Sequence, residues 1–249
     1  MIEAVWLGAL LIGLAGWTLH GNRQYAAFRT LADSEARVAC YLRWTAESFI
    51  VLTGASVVTL LMLGQADAPF AMPDLFQPLA ARLAGESGSE GSAGTLPFMI
   101  GVAIGVGLLA GIQYFRLRRV VRAISADIEP LLPRNARERL AAIPLSLNAG
   151  FSEELFFRLA LPLLVTQVSG SATIGFATAV AAFGLAHAYQ GWKGVVGTTL
   201  IGAVFTLHYL QHGSLLWLMA AHAAIDLIAL IVRPLIAARL AERRRPLAA

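Results

Sequence analysis

Two adjacent glutamates and an arginine lie within one of the most apolar stretches of the chain, GFSEELFFRLALPL at residues 150–163. In a membrane, a charged side chain at the centre of a helix costs about 2.5–3.5 kcal/mol on insertion scales. Glu154 and Arg158 are four residues apart, so they share a helix face and can form an ion pair that offsets part of this cost. Glu153 points about 100° away and has no obvious basic partner. It is therefore a candidate general base or acid, unless both glutamates only hydrogen-bond to neighbouring helices.

Three histidine patterns follow. In HAAID, His222 and Asp226 are four residues apart, so Asp226 can accept a hydrogen bond from one ring nitrogen and orient the imidazole. The alternative is a polar pair that only holds two helices together. In FGLAH, His187 follows Phe183 by one helical turn, and its alternative role is that of an interfacial residue bonded to a loop.

His208 and His212 also share a helix face and have the spacing of metal ligands. They lie at the predicted outer end of their span, beside Gly213, whereas the other candidate residues lie nearer the cytoplasmic half of the membrane. We therefore interpret them as interfacial residues.

The composition indicates which elements must position these residues. The chain of 249 residues is 57% hydrophobic and 14% charged, whereas soluble domains carry about a quarter charged residues. Its single cysteine, Cys40, excludes a disulfide framework and a multi-cysteine metal site. Apolar runs of about 20 residues recur, which is typical of a polytopic α-helical membrane protein. We predict an all-α transmembrane bundle of about seven spans, at residues 3–19, 44–64, 96–115, 144–168, 171–188, 193–210 and 214–232.

The loops indicate the orientation of the bundle. Arginines concentrate in residues 20–43, 116–143 and 233–249. Each of these segments is separated from the N-terminus by an odd number of predicted spans, so all three lie on the side of the membrane opposite to the N-terminus. The positive-inside rule then predicts an outside N-terminus and a cytoplasmic C-terminus. This loop pattern also excludes a nucleic-acid partner. Because Lys193 is the only lysine, the sequence is typical of a GC-rich bacterial genome, and we expect the bacterial inner (plasma) membrane.

The chain divides into two predicted parts. Residues 1–139 contain the first three spans and their loops, and residues 140–249 contain a compact four-helix core with a basic cytoplasmic tail. The segment PRNARERLAAI at 133–143 predicts a basic amphipathic helix on the cytoplasmic surface. Pro144 is then expected to begin the next span.

Three ordered motifs within residues 140–232 resemble those of the CPBP intramembrane proteases, a family that includes CAAX prenyl proteases and bacteriocin-processing, Abi-type proteins. EELFFR matches the EExxxR motif, FGLAH the FxxxH motif, and HAAID the HxxxN-type motif. The resemblance implies that the four-helix core is catalytic. The first three spans match no pattern that we can name.

The resemblance also implies a glutamate-based site without a cofactor. Glu153 would activate water, assisted by His187, while His222 and Asp226 would stabilise the oxyanion. Asp226 replaces the usual Asn, and an ionised Asp cannot donate a hydrogen bond. It must therefore be protonated or act by orienting His222.

The leading hypothesis is an intramembrane endopeptidase that cleaves a membrane-associated protein or peptide. A zinc-dependent version of the same protease is an alternative, because one carboxylate and two histidines can also bind a metal. A non-catalytic scaffold or immunity protein, or a transporter, is the alternative from another class. Intact motifs argue against a scaffold, and the absence of visible inverted repeats argues against a transporter.

Overall fold

The computed structural model describes residues 1–86, 129–236 and 239. Every regular element in this part is helical, which confirms the predicted all-α class. Three π-helical segments, Phe49–Thr53, Leu155–Ala160 and Ile228–Val232, interrupt or extend the α-helices. The α-helices are α1 Ile2–Phe28, α2 Ser34–Ser48, α3 Gly54–Met62, α4 Gln77–Glu86, α5 Ala136–Glu154, α6 Leu161–Ser169, α7 Ala172–Ala186, α8 Gly191–His212 and α9 Leu215–Leu227.

Four helices in the described part are long and apolar enough to cross a membrane. They extend over Ile2–Phe28, Ser34–Met62, Ala188–His212 and Leu215–Ile236. The helix predicted at 171–188 is the shorter apolar Ala172–Ala186, and the span predicted at 96–115 lies outside the described residues. The protein is therefore an integral membrane protein, and the count of seven spans stays a prediction.

Helix α5 differs from the prediction at its N-terminal end. It begins at Ala136 and continues through Pro144 to Glu154. Asn135 is its N-cap, because the side-chain oxygen of Asn135 accepts a hydrogen bond from the backbone N–H of Glu138. Residues 136–143 are helical, as predicted, but they form the first part of α5, so the expected helix start at Pro144 is wrong. Proline removes one helical hydrogen bond, but the packing of α5 between α2 and α9 keeps the helix continuous.

Glu138 anchors the first turn of α5 to the bundle, although Arg137 beside it is exposed. Its carboxylate is buried and lies 3.0 Å from Nε of Arg37 on α2, whose side chain is also buried. Burial alone would raise the pKa of Glu138, but hydrogen bonds from the backbone N–H of Arg134 and from Arg37 hold this pKa below its ordinary value. The acidic residue in a basic segment thus connects α5 to α2.

The centre of the bundle is the continuous stretch from Glu154 to Thr166, in which every residue is buried. Leu159, Leu161, Leu163 and Leu164 have no exposed surface. A helix that is apolar all round belongs inside a bundle. The two charges of this stretch therefore lie in the most buried helix of the described structure.

Helices α5 and α9 approach each other closely at Gly150. A Cβ atom there would lie 2.6 Å from the carbonyl oxygen of Met219 and 2.7 Å from the backbone nitrogen of Ala223. Only glycine permits this backbone contact. The contact lies one turn before Glu154 and beside His222, so it sets the distance between the helices that carry these two residues.

Candidate active site

Glu154 and Arg158 form the ion pair that their spacing predicts. Nε of Arg158 lies 3.1 Å from Oε2 of Glu154, and both side chains are buried. The guanidinium also lies over the ring of Phe183, with 4.2 Å between its Cζ and the ring centroid. This cation–π contact gives the buried charge a second favourable partner.

His222 is oriented by Glu154. Its Nδ1 lies 2.7 Å from Oε1 of Glu154, and because a carboxylate can only accept, Nδ1 carries the hydrogen. Asp226 lies farther away, with 3.9 Å between its Oδ2 and Nε2 of His222. The expected hydrogen bond from His222 to Asp226 is therefore absent, and Glu154 on α5 orients the imidazole in its place.

His187 ends α7, where its Nδ1 lies 2.8 Å from the backbone carbonyl oxygen of Phe183. The carbonyl can only accept, so Nδ1 carries the hydrogen here as well. Nε2 of His187 then faces Glu153. Phe183 thus contributes its ring to Arg158 and its carbonyl to His187.

Glu153 lies between the two imidazoles. Its Oε2 is 3.8 Å from Nε2 of His187 and 4.0 Å from Nε2 of His222. These distances exceed those of direct hydrogen bonds. Oε2 of Glu153 is buried and has no hydrogen-bond partner among the described residues, so it keeps its capacity to accept a proton. The histidines are the partners of Glu153 that its sequence neighbourhood did not reveal.

A cavity of about 260 Å³ opens beside these groups. Glu153, His187 and Asp226 line it, and the side chain of Asp226 is a third exposed. The side chains of Glu153 and Asp226 are therefore only partly buried within the bundle. All four predicted catalytic residues are brought together at or beside it.

The sequence did not predict that residues of α1 and α2 line this cavity. Trp17, Gln24, Trp44 and Glu47 line the cavity together with the motif residues. These residues are more than 100 positions from Glu153, so no periodicity connects them. The available signal was Glu47, a charged residue inside the predicted span 44–64.

His208 and His212 lie elsewhere. His208 is buried and His212 is exposed at the end of α8, with their ring centroids 4.4 Å apart, and neither lines the cavity. The description of both as interfacial fails for His208, which packs inside the bundle. Within residues 1–86 and 129–236, no group of three or more His, Cys, Asp or Glu side chains is arranged to hold a metal ion.

An apolar helical bundle with a carboxylate and two imidazoles beside an internal cavity has the groups that a membrane-embedded hydrolase needs. Residues 135–228 match the family model described as type II CAAX prenyl endopeptidase Rce1-like. The match includes all three motifs and confirms the resemblance to the CPBP and CAAX proteases. Residues 135–228 are thus similar to this family of endopeptidases. Comparisons with curated proteins and with solved structures gave no match.

Proposed function

We propose that the protein is a glutamate-dependent intramembrane endopeptidase. The observation that carries this proposal is the position of Glu153 in the cavity, within 4.0 Å of Nε2 of both His187 and His222. A water molecule bound among these three groups would have a proton acceptor beside it. General-base catalysis of this kind contributes about 10²–10⁴-fold to a rate.

In the proposed reaction, Glu153 accepts a proton while the water oxygen attacks the carbonyl carbon of the scissile peptide bond. A tetrahedral intermediate with an oxyanion forms. When it collapses, the C–N bond breaks and the departing nitrogen takes the proton from Glu153 or through His187. The products are a carboxylic acid and an amine, which become a carboxylate and an ammonium when the acid's proton passes to the amine. Atoms and charge therefore balance without a redox partner.

His222 and Asp226 are the proposed oxyanion stabilisers. In the protonated ring of His222, Nδ1–H is already directed to Glu154, so only Nε2–H is available to the substrate. Asp226 can add a second donor when it is protonated. Preorganised donors of this kind are worth more in a buried site than in water.

The proposed substrate is a membrane-associated protein or peptide, and the bilayer is the second partner. By the loop charges, the N-terminus lies outside and the cavity opens toward the cytoplasmic side of a bacterial inner membrane. Residues 1–139 would then help to enclose the substrate for a catalytic part at 140–249. The alternatives of a scaffold, an immunity protein or a transporter require a chain without hydrolytic activity.

Cleavage of a synthetic peptide library by purified protein in lipid nanodiscs, read by mass spectrometry, tests the proposal. Glu153→Gln should lower cleavage by roughly 10²–10⁴-fold, whereas Glu35→Gln, an exposed glutamate on α2, should not change it. A Glu153→Gln protein that cleaves at the wild-type rate would overturn the catalytic assignment. Metal analysis of the same active preparation separates the two versions of the protease, because stoichiometric zinc would favour the zinc-dependent one.

A further inference from the structure

The wall of the cavity that α1 and α2 contribute contains a glutamate that the proposed reaction does not use. Glu47 lines the cavity near the C-terminal end of α2, in the same space as Glu153 and Asp226. Its position is fixed by Gln24 of α1, whose Nε2 donates a hydrogen bond of 3.1 Å to Oε2 of Glu47. The indole N–H of Trp44 in turn donates to Oε1 of Gln24. Glu47 is therefore held in a defined place rather than extended into the surroundings.

Apart from the histidines His20 and His187, the side chains of the lining that can carry a charge near neutral pH are carboxylic acids. These carboxylic acids are Glu47, Glu153 and Asp226, and no Lys or Arg of the described residues lines the cavity. Outside the lining, Nε of Arg43 lies 3.6 Å from Oε1 of Glu47. Both side chains of this pair are partly exposed and four residues apart, and such pairs are weak. A cation that enters the cavity can compete for Glu47.

Aromatic residues of α1 and α2, together with Tyr189 after α7, also line the cavity. They are Trp17, Tyr25, Trp44 and Tyr189, and the rings of Tyr25 and Tyr189 meet edge to face with centroids 5.1 Å apart. Aromatic faces beside a carboxylate attract cations. The rings also accommodate the methylene groups of a long basic side chain.

We infer that this wall is a subsite for a lysine or arginine side chain of the substrate, close to the scissile bond, and that Glu47 determines this specificity. The inference rests on the proposed function. It also agrees with the membrane setting, because basic residues flank the cytoplasmic ends of membrane segments. A substrate whose membrane anchor is cut at that end presents such residues to the cavity.

Sequence profiles of the cleaved peptides test the subsite. For the wild-type protein in nanodiscs, a randomised peptide library should show Lys and Arg enriched at one position beside the cleaved bond. In Glu47→Gln, the ratio of rates for a matched Lys and norleucine peptide should fall by roughly tenfold or more. Glu47→Lys should shift the enrichment to Asp and Glu at that position. Unchanged profiles in both variants, with Glu35→Gln as the matched control, would overturn the inference.

A binding measurement separates this inference from the proposed reaction. The probes are the peptides acetyl-Leu-Lys-Leu-amide and acetyl-Leu-norleucine-Leu-amide, titrated against the Glu153→Gln protein in nanodiscs. The lysine peptide should bind more tightly, and Glu47→Gln in the same background should remove the difference. Equal binding of the two peptides contradicts the subsite whether or not the protein hydrolyses peptides. If the Glu153→Gln protein binds the lysine peptide more tightly but the wild-type protein cleaves no peptide, only the proposed reaction is contradicted.

Discussion

Glu154 joins two functional elements, because its Oε1 lies 2.7 Å from Nδ1 of His222 while its Oε2 lies 3.1 Å from Nε of Arg158. The carboxylate therefore holds the orientation of an imidazole in the candidate site and neutralises the most deeply buried arginine of α5–α6. A single change at Glu154 should affect both stability and activity.

We predict that Glu154→Gln lowers both. Loss of one partner of a buried ion pair costs about 3–5 kcal/mol, since Arg158 keeps its charge with no ionised acceptor. The free energy of unfolding is measured in detergent, with the helical circular dichroism signal as the probe. Peptide cleavage per folded molecule gives the activity. The double variant Glu154→Gln, Arg158→Met should regain part of the stability but little activity, because His222 still lacks its carboxylate. Full recovery of activity in the double variant would show that Glu154 only balances Arg158.

Gly150 provides a test of geometry without any change of charge. In Gly150→Ala, the new methyl group meets the backbone of α9 at 2.6 and 2.7 Å, so α5 and α9 must move apart. A shift of about 1 Å can lower a rate by roughly 10²-fold, and we expect a loss of that order in cleavage per folded molecule.

Gly197 of α8 is the matched control for this variant, because a Cβ atom there meets nothing within 4 Å. Gly197→Ala should retain the wild-type rate and stability. Equal activity of the two alanine variants would contradict a role for the α5–α9 contact in positioning Glu154 and His222.

The histidines should separate into two classes. His187→Ala and His222→Ala should each lower the rate of cleavage by roughly 10²-fold or more. His208→Ala and His212→Ala should retain the wild-type rate. Because His208 is buried, rates are compared per folded molecule after the folded fraction is measured. If His208 and His212 prove essential and bound metal is lost with them, the reaction site is not at Glu153.

Local rules predicted what depends on spacing along one helix. The Glu154–Arg158 pair and the shared face of His222 and Asp226 follow from the helical repeat. Tertiary packing determined the rest. The bond from His222 to Glu154 joins residues 68 positions apart and exists because Gly150 lets two backbones meet. The contribution of α1 and α2 to the cavity has no sequence period that could predict it.

The last prediction concerns Asp226, whose Oδ2 lies 3.9 Å from Nε2 of His222 in the cavity wall. Since Glu154 already orients His222, Asp226 is free to act on the oxyanion as a protonated donor. An Asn amide N–H can donate in the same way at any pH. Asp226→Asn should therefore keep much of the activity, whereas Asp226→Ala should lose roughly 10²–10³-fold.

The pH profile of cleavage distinguishes a donor from a spacer at this position. If the proton of Asp226 is required, wild-type activity falls as the pH rises and that proton is lost, while the Asn variant lacks this limb. Identical limbs in both proteins would exclude Asp226 as the donor. If the Asn variant is as inactive as the Ala variant, a negative charge is needed at residue 226. In that case a metal ion at His222 becomes the better explanation, and metal analysis of the wild type should find it.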